Sequence, residues 1–303
     1  MTKKLRRSLA IHLSAVALIL VSLVSPSTMA HPGSGIAVDR HGQIYFLDTG
    51  SGLWRIDSQG RVSQLSRLRY HWLAIDDGSR FASTKLPMGA LGEISRVGTN
   101  PTTLLSSDYP IAIGQDGNLF YPSGPRGGMR IMRMSPSGAT SALATLPPTT
   151  SGPLSHVNGL SAGPLNSLYY TEDNAIRRIS AQGRIGIVVT VPKLANGPSI
   201  PGTDIHPYLR GLAVDANGVL YVADSGDARV LRITPDGKIT NLVKTESPWA
   251  PTAVALSGSD VYVLEFLHTA GDVRRDWLPR VRKITSDGNS TIILTVDQMP
   301  GAR

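Results

Sequence analysis

The sequence contains no cysteine, so it can form no disulfide and carries no cysteine to which a lipid could be attached. In an oxidising compartment the fold would therefore depend on its hydrophobic core and its backbone hydrogen bonds. Long low-complexity tracts are also absent, and 41% of the 303 residues are hydrophobic, which is enough for a sizeable core. We find no nucleophile motif of the GxSxG type and no phosphate-binding loop, so the sequence offers no motif for those chemistries.

The first thirty residues differ from the rest of the chain. Four basic residues precede an apolar run from Leu9 to Val24, and the segment SPSTMA then ends at Ala30. This order is typical of a secretory signal peptide cleaved after Ala30. We therefore predict residues 1–30 as a signal peptide, residues 31–303 as a single domain, and a secreted or periplasmic location. The alternative is an uncleaved segment that holds the chain at a membrane.

The net charge of +8 comes in large part from this first segment. Without its four Lys and Arg residues the chain carries 26 basic and 22 acidic residues, a net charge of +4. A balance so close to neutral does not indicate a nucleic-acid-binding surface, so we expect no nucleic-acid partner.

Two distant stretches are near copies of each other: GIAVDRHGQIYFLDTGSGLWRIDSQGRVSQL (35–65) and GLAVDANGVLYVADSGDARVLRITPDGKITNLV (211–243). The second strand-like stretch of this unit recurs six times, as QIYFLD, SRFAST, NLFYPS, SLYYTE, VLYVAD and DVYVLE. The third recurs six times as a basic residue followed by an apolar one, at Arg55, Arg96, Arg133, Arg178, Arg232 and Lys283. Two-residue turns that end in Gly separate the stretches and suit β-hairpins. Each unit is thus predicted to be a four-stranded antiparallel meander.

Six such meanders bury both of their faces when they pack around an axis, which predicts an all-β, six-bladed β-propeller of four-stranded antiparallel blades. The ends of the domain should meet where the last outer strand, TIILTV (291–296), lies beside the first inner strand, GIAV (35–38). Blade 2, with RFASTKLPMGALGEISRV, matches the pattern least well.

The stretch ANGVLYVADSGDARVLRITPDG resembles an NHL repeat, and the chain is similar to six-bladed NHL and SMP-30/gluconolactonase-like propellers over about residues 33–297. The resemblance implies the architecture. It does not specify an activity, because this fold carries lactonases, lyases and pure binding modules.

The three long connections all lie on one edge of the propeller, which predicts a wall around a pocket there; they are 146–158, 192–210 and 265–279. The residues before the six inner strands should surround the mouth of the channel on the same edge: Ser34, His71, Tyr109, Asn158, Arg210 and Pro251. His156, His206 and Tyr208 lie close to them in sequence, and Trp249 and Trp277 are candidate stacking surfaces. Arginine, asparagine and tyrosine side chains suit an anionic or hydroxylated ligand.

Structural roles remain open for several of these residues. Arg210 could pair with Asp204, Asp224 or Glu172, and His71 could be a buried histidine with a partner. Asn158 could hold only a turn, since both it and Gly159 tolerate left-handed backbone.

The resemblance also implies a divalent metal at the channel mouth in lactonases and a histidine-bound zinc in amidating lyases. Asn158 matches the asparagine that precedes an inner strand in the lactonases, and His71 fits the zinc position. Ser34 and Arg210, however, occupy places where the lactonase pattern has carboxylates. No cofactor is predicted, Ca²⁺ or Zn²⁺ remains open, and the candidate ligands are His71, Asn158, Glu172, Asp224 and Glu265.

The sequence therefore predicts an exported, monomeric recognition module. It would bind a small polar or anionic ligand, a carbohydrate or a peptide at the channel mouth. The alternative is a metal-dependent lactonase-type hydrolase or a lyase that uses the same site. A third possibility is a protein–protein scaffold that uses the blade surfaces.

Overall fold

The protein was analysed as a computed structural model, which describes residues 33–89, 92–98, 102–124, 128–148, 157–192, 208–267 and 278–301. The predicted signal peptide, most of the three long connections, and His156, His206 and Trp277 lie outside these residues. The described segments include no helix that is both long enough and apolar enough to cross a membrane.

The described residues form six four-stranded antiparallel sheets. Blade 1 contains β1 (Ile36–Val38), β2 (Ile44–Asp48), β3 (Gly52–Ile56) and β4 (Val62–Ser66). Blade 2 contains β5 (Trp72–Asp76), β6 (Met88–Gly89), β7 (Gly92–Gly98) and β8 (Thr103–Ser107). Blade 3 contains β9 (Ala112–Ile113), β10 (Leu119–Ser123), β11 (Arg130–Met134) and β12 (Thr140–Thr145).

The remaining three blades follow in chain order. Blade 4 contains β13 (Gly159–Ala162), β14 (Leu168–Glu172), β15 (Ala175–Ile179) and β16 (Ile185–Thr190). Blade 5 contains β17 (Leu209–Val214), β18 (Leu220–Asp224), β19 (Arg229–Ile233) and β20 (Ile239–Lys244). Blade 6 contains β21 (Trp249–Ser257), β22 (Asp260–Leu267), β23 (Pro279–Ile284) and β24 (Ser290–Thr295). Two 3-10 turns, Pro164–Asn166 and Val296–Gln298, are the only helical elements described.

The predicted propeller is confirmed, and the inner strands contact one another in the ring order β1, β5, β9, β13, β17, β21 and back to β1. The ring closes between blades 6 and 1, as predicted. There Ile36, Phe46 and Trp54 share a buried cluster with Leu264 and Phe266. Side-chain packing rather than a shared strand joins the two ends of the domain.

Blade 2 departs from the predicted meander, because its spatial order is β5-β8-β7-β6. The stretch SRFAST, predicted as its second strand, is instead a turn region, and Phe81 from it is buried in the core between blades 2 and 3. Strand β8 takes the second place because all five of its residues are buried, whereas the fourth strands of the other blades are half exposed. A strand inside a packed blade must be buried on both faces.

The hairpin turns behave as the sequence indicates. Eight of the nine predicted turn glycines have positive φ, between 73° at Gly42 and 91° at Gly138. The exception is Gly78 in blade 2, where no hairpin forms and Ser79 takes the positive φ of 49° instead. A positive φ is accessible to Gly without strain, so the eight turns require this residue.

Each regular blade runs its inner strand from one edge of the propeller to the other. We call the edge where the inner strands begin the loop face, since the three long connections join it. The opposite edge, which carries the short glycine turns such as 39–43 and 215–219, is the turn face.

Candidate functional site

At most of the residues predicted to surround the channel mouth, neighbouring blades are joined by hydrogen bonds on the loop face. Backbone carbonyls at or next to five of the six positions accept hydrogen bonds from the preceding blade. The bonds are Ser34 N to His71 O (2.8 Å), Ser107 Oγ to Tyr109 O, Thr171 Oγ1 to Arg210 O (2.7 Å), Ser225 Oγ to Pro251 O and Thr252 Oγ1 to Gly33 O (2.7 Å). Five of the six predicted positions, all except Asn158, therefore occupy equivalent places in the hydrogen bonding between blades.

Glycines bring the inner strands close together at this level. A Cβ atom on Gly159 would lie 2.4 Å from the carbonyl oxygen of Arg210, and one on Gly211 would lie 2.8 Å from the Cα of Ala253. Real Cβ atoms do not approach so closely, so only glycine allows blades 4, 5 and 6 to meet here. This close approach fixes Asn158 and Arg210 relative to each other.

Arg210 lies in a β-bulge, between the paired residues Leu209 and Leu212 of β17. Bulges redirect side chains and occur often beside functional sites. The Arg210 side chain is half-buried, and burial lowers the pKa of its guanidinium. A guanidinium nevertheless stays protonated at neutral pH, so Arg210 is a partly desolvated cation at the rim.

His71 and Tyr109 both have partners. His71 Nδ1 lies 3.0 Å from Asp108 Oδ1, and the imidazole is 26% exposed. Tyr109 is buried in the core between blades 2 and 3, with its hydroxyl 3.4 Å from the carbonyl oxygen of Gly92. Burial, with smaller contributions from Tyr121 and Asp108, raises the pKa of Tyr109 to about 12, so the phenol stays neutral. A role for either residue in ligand contact stays a prediction.

Two mouth residues carry buried polar atoms that have no hydrogen-bond partner among the described residues. They are the hydroxyl of Ser34, a residue 4% exposed, and the side-chain amide nitrogen of Asn158, a residue 7% exposed. Burying an unpaired donor costs about 1–3 kcal/mol, so native proteins seldom tolerate it without a function or a bound molecule. Blades 1 and 4 lie on opposite sides of the ring, so both sides of the mouth present such a group.

The carboxylates proposed as metal ligands are already engaged by arginines. Glu172, at the end of β14, accepts a hydrogen bond from Arg177 Nε. Asp224, at the end of β18, accepts one from Arg229 Nε at 2.8 Å. Burial raises the pKa of Asp224, and the hydrogen bond and charge of Arg229 offset part of that effect.

Glu265 is held by two arginines. Arg280 Nε and Arg282 Nε both donate to its fully buried carboxylate, the latter at 2.6 Å. The same arginines reach the exposed Glu246 at 2.9 and 3.0 Å. The guanidinium carbon of Arg280 also lies 4.2 Å from the ring centre of Trp249, so this half-buried tryptophan is covered by a cation.

These residues do not fit a divalent cation. Hard cations require several oxygen ligands, and the carboxylates of Glu172, Asp224 and Glu265 are all paired with arginine. Among the described residues, no three His, Asp or Glu side chains are grouped so that they could hold a metal ion. The mouth instead contains the Arg210 guanidinium and two donors without a partner among the described residues, and such groups suit an anionic or hydroxylated ligand.

The arginine that pairs with each carboxylate was missed in the sequence, although a signal exists. Glu172 and Arg177, and likewise Asp224 and Arg229, are five residues apart, at the end of the second strand and in the third. Across a short turn this spacing places both side chains at the same edge of the blade. The spacing therefore indicates a structural ion pair rather than a free carboxylate.

The fold defines the class of protein, which is a six-bladed β-propeller. The residues that precede its inner strands on the loop face are mostly polar. Residues 127–266, from blade 3 into blade 6, match the family model described as the SMP-30/Gluconolactonase/LRE-like region. The sequence resemblance to SMP-30/gluconolactonase-like propellers is therefore confirmed over this part of the chain.

Solved structures share the architecture at low sequence identity. A streptogramin B lyase is 17% identical with a TM-score of 0.51, covering 88% of this chain and 84% of its own. Regucalcin, a calcium-binding protein from Agrobacterium tumefaciens str. C58, is 17% identical with a TM-score of 0.52, covering 77% and 83%. A luciferin-regenerating enzyme is 15% identical with a TM-score of 0.53, covering 84% and 91%. Such likeness shows the fold alone, and no curated protein sequence matches this chain significantly.

Proposed function

We propose that the protein is an exported recognition module whose loop-face mouth binds a small polar or anionic ligand, a carbohydrate or a peptide. The proposal is carried by two buried donors, at Ser34 and Asn158, that have no hydrogen-bond partner among the described residues. A ligand oxygen that accepts from them would remove the cost of leaving them unpaired.

Arg210 supplies the charge that such a site needs. Its guanidinium is a planar fork of donors that matches a carboxylate or phosphate, and partial burial strengthens that attraction. Tyr208 and the cation-covered Trp249 are the neighbouring aromatic side chains described on this face.

Ser34→Ala provides the sharpest test, because it separates ligand binding from stability. Removing an unpaired buried hydroxyl should leave the melting temperature unchanged or raise it by a few degrees. The same change should weaken binding of any sugar, organic acid or peptide found by a thermal-shift screen.

Arg210→Ala should abolish binding of an anionic hit without unfolding the protein.

Arg232→Ala is the matched control, since Arg232 lies in the third strand of blade 5, away from the mouth. It should bind every hit as the unchanged protein does. A Ser34→Ala protein that loses several degrees of melting temperature, or an Arg210→Ala protein that binds normally, would contradict the proposed site.

The alternative function is a metal-dependent lactonase-type hydrolase or a lyase that uses the same mouth. The match to the gluconolactonase-like family model favours it, as does the fold that the protein shares with a streptogramin B lyase. The arginine-paired carboxylates and the cation at Arg210 argue against it.

A melting titration with Ca²⁺ and then Zn²⁺, on protein stripped with a chelator, distinguishes these functions. A specific ion at a hundred times its dissociation constant would add about 2.7 kcal/mol, a shift of several degrees. We expect no shift with either ion. A clear shift that disappears in Asn158→Leu or His71→Ala would instead establish the metal-dependent function and justify lactone and lyase assays.

A further inference from the structure

A groove of about 550 Å³ lies between blades 4 and 5 on the turn face, on the opposite edge from the proposed mouth. Blade 4 contributes residues of β14, β15 and β16, and blade 5 contributes its short turns around Asn217 and Pro235. The groove is therefore separate from the loop-face site.

Blade 4 breaks the repeat at this groove. In blades 1, 3, 5 and 6 the basic residue of the third strand pairs across to a hydroxyl residue of the fourth strand; these are Ser63, Ser141, Thr240 and Thr291. In blade 4 the partner of Arg178 is Gly186. A Cβ atom on Gly186 would meet nothing within 4 Å, so the missing side chain leaves open space beside Arg178.

The groove carries positive charge without a counterion. Arg178 and Arg184 both line it and are exposed, and neither forms an ion pair within the described part of the chain. No Asp or Glu is among the lining residues. In blade 6, by contrast, the equivalent Lys283 is paired with Asp260 at 2.7 Å.

The walls of the groove are largely apolar. Tyr169 lies beneath Arg178, with the guanidinium carbon 5.9 Å from its ring centre, and the exposed Ile187 lines the outer side. Leu165, 82% exposed, stands next to the lining residue Pro164 in a turn with φ of 56°. Non-glycine residues held at positive φ are strained and concentrate at binding sites.

From this geometry we infer that the groove binds a small amphiphilic carboxylate. The carboxylate lies between Arg178 and Arg184, and the apolar body packs on Tyr169 and Ile187 in the space that Gly186 leaves. Paired guanidinium groups are the side chains best suited to a carboxylate, and the adjoining aliphatic and aromatic surface favours an apolar body over a plain inorganic anion.

The test uses 4-phenylbutyrate as the probe and isothermal titration calorimetry of the purified protein. We expect saturable one-to-one binding of 4-phenylbutyrate and much weaker binding of both the uncharged 4-phenylbutanol and of acetate. Arg178→Gln and Arg184→Gln should each weaken binding about tenfold or more, because each removes a charge-assisted hydrogen bond. Gly186→Thr, which installs the residue that blade 5 carries, should also weaken binding by filling the groove.

Blade 5 provides the matched controls. Arg232 and Lys238 occupy the repeat positions of Arg178 and Arg184 but do not line the groove. The substitutions Arg232→Gln and Lys238→Gln should therefore leave binding of 4-phenylbutyrate unaltered. Melting curves identify any variant that is unfolded, in which case Gly186→Thr carries the test. The proposal is overturned if 4-phenylbutyrate does not saturate, if 4-phenylbutanol binds equally well, or if the blade 4 and blade 5 variants behave alike. None of these outcomes depends on a ligand at the loop-face mouth.

Discussion

Glu265→Ala is expected to lower the free energy of unfolding by about 3–5 kcal/mol, which is a fall in melting temperature of roughly 10 °C. The carboxylate is fully buried and accepts from both Arg280 and Arg282, each at most 11% exposed at the side chain. Without it, two guanidinium groups remain in a poorly hydrated site with one exposed partner. Leaving buried charge uncompensated is far more costly than losing a surface ion pair.

Glu246→Ala is the matched control for this prediction. Glu246 contacts the same two arginines at 2.9 and 3.0 Å, but its side chain is 69% exposed. An exposed ion pair contributes about 0–1 kcal/mol, so the control should change the melting temperature by a few degrees at most. Equal effects of the two substitutions in calorimetric or denaturant unfolding would show that burial does not control the strength of this cluster.

Gly159→Ala is expected to destabilise the protein by about 2 kcal/mol and to disturb the loop-face mouth at the same time. Its Cβ would lie 2.4 Å from Arg210 O and 3.0 Å from Thr171 Oγ1, the two atoms of a hydrogen bond between blades 4 and 5. The backbone of blade 5 would have to retreat, and Arg210 would move with it. Ligand binding at the mouth should therefore fall together with the melting temperature.

Gly186→Ala is the control, because it makes the same chemical change in an outer strand of the same blade. Its Cβ would contact nothing within 4 Å. Replacing a strand glycine by alanine reduces the entropy of the unfolded chain, so this variant should be neutral or slightly more stable. If both glycine variants melt at the same temperature, the close approach of blades 4 and 5 does not constrain the mouth.

The architecture could be predicted because its signals are local and repeated. A strand, a two-residue turn with glycine and a basic residue before an apolar one each depend on a few neighbouring residues, and six copies reinforce one another. Blade 2 shows the limit of this reasoning. Two segments could have formed the second strand of blade 2, namely residues 79–84 and Thr103–Ser107. The second of these forms it, because its residues are buried on both faces of the sheet.

The chemistry of the candidate site could not be predicted from the sequence. The repeat predicted equivalent places for Asn158 and Arg210, and in the structure Arg210 O accepts an interblade hydrogen bond from Thr171 Oγ1. The state of each polar group depends on partners from other segments. Asp224 was a candidate metal ligand from the sequence, but Arg229 pairs with it in the structure. The side-chain amide nitrogen of Asn158 has no partner among the described residues, which the sequence alone does not reveal.

By itself, the sequence determined the number of blades, the four strands of each blade except for their identity in blade 2, eight of the nine glycine turns and the meeting of blades 6 and 1. Periodic hydrophobicity and turn residues encode these features locally. The tertiary structure decided the strand order of blade 2, the pairing of Glu172, Asp224 and Glu265 with arginines, and the open groove beside Arg178. These features arise from packing between segments, where burial and charge compensation select among arrangements that the local pattern permits equally.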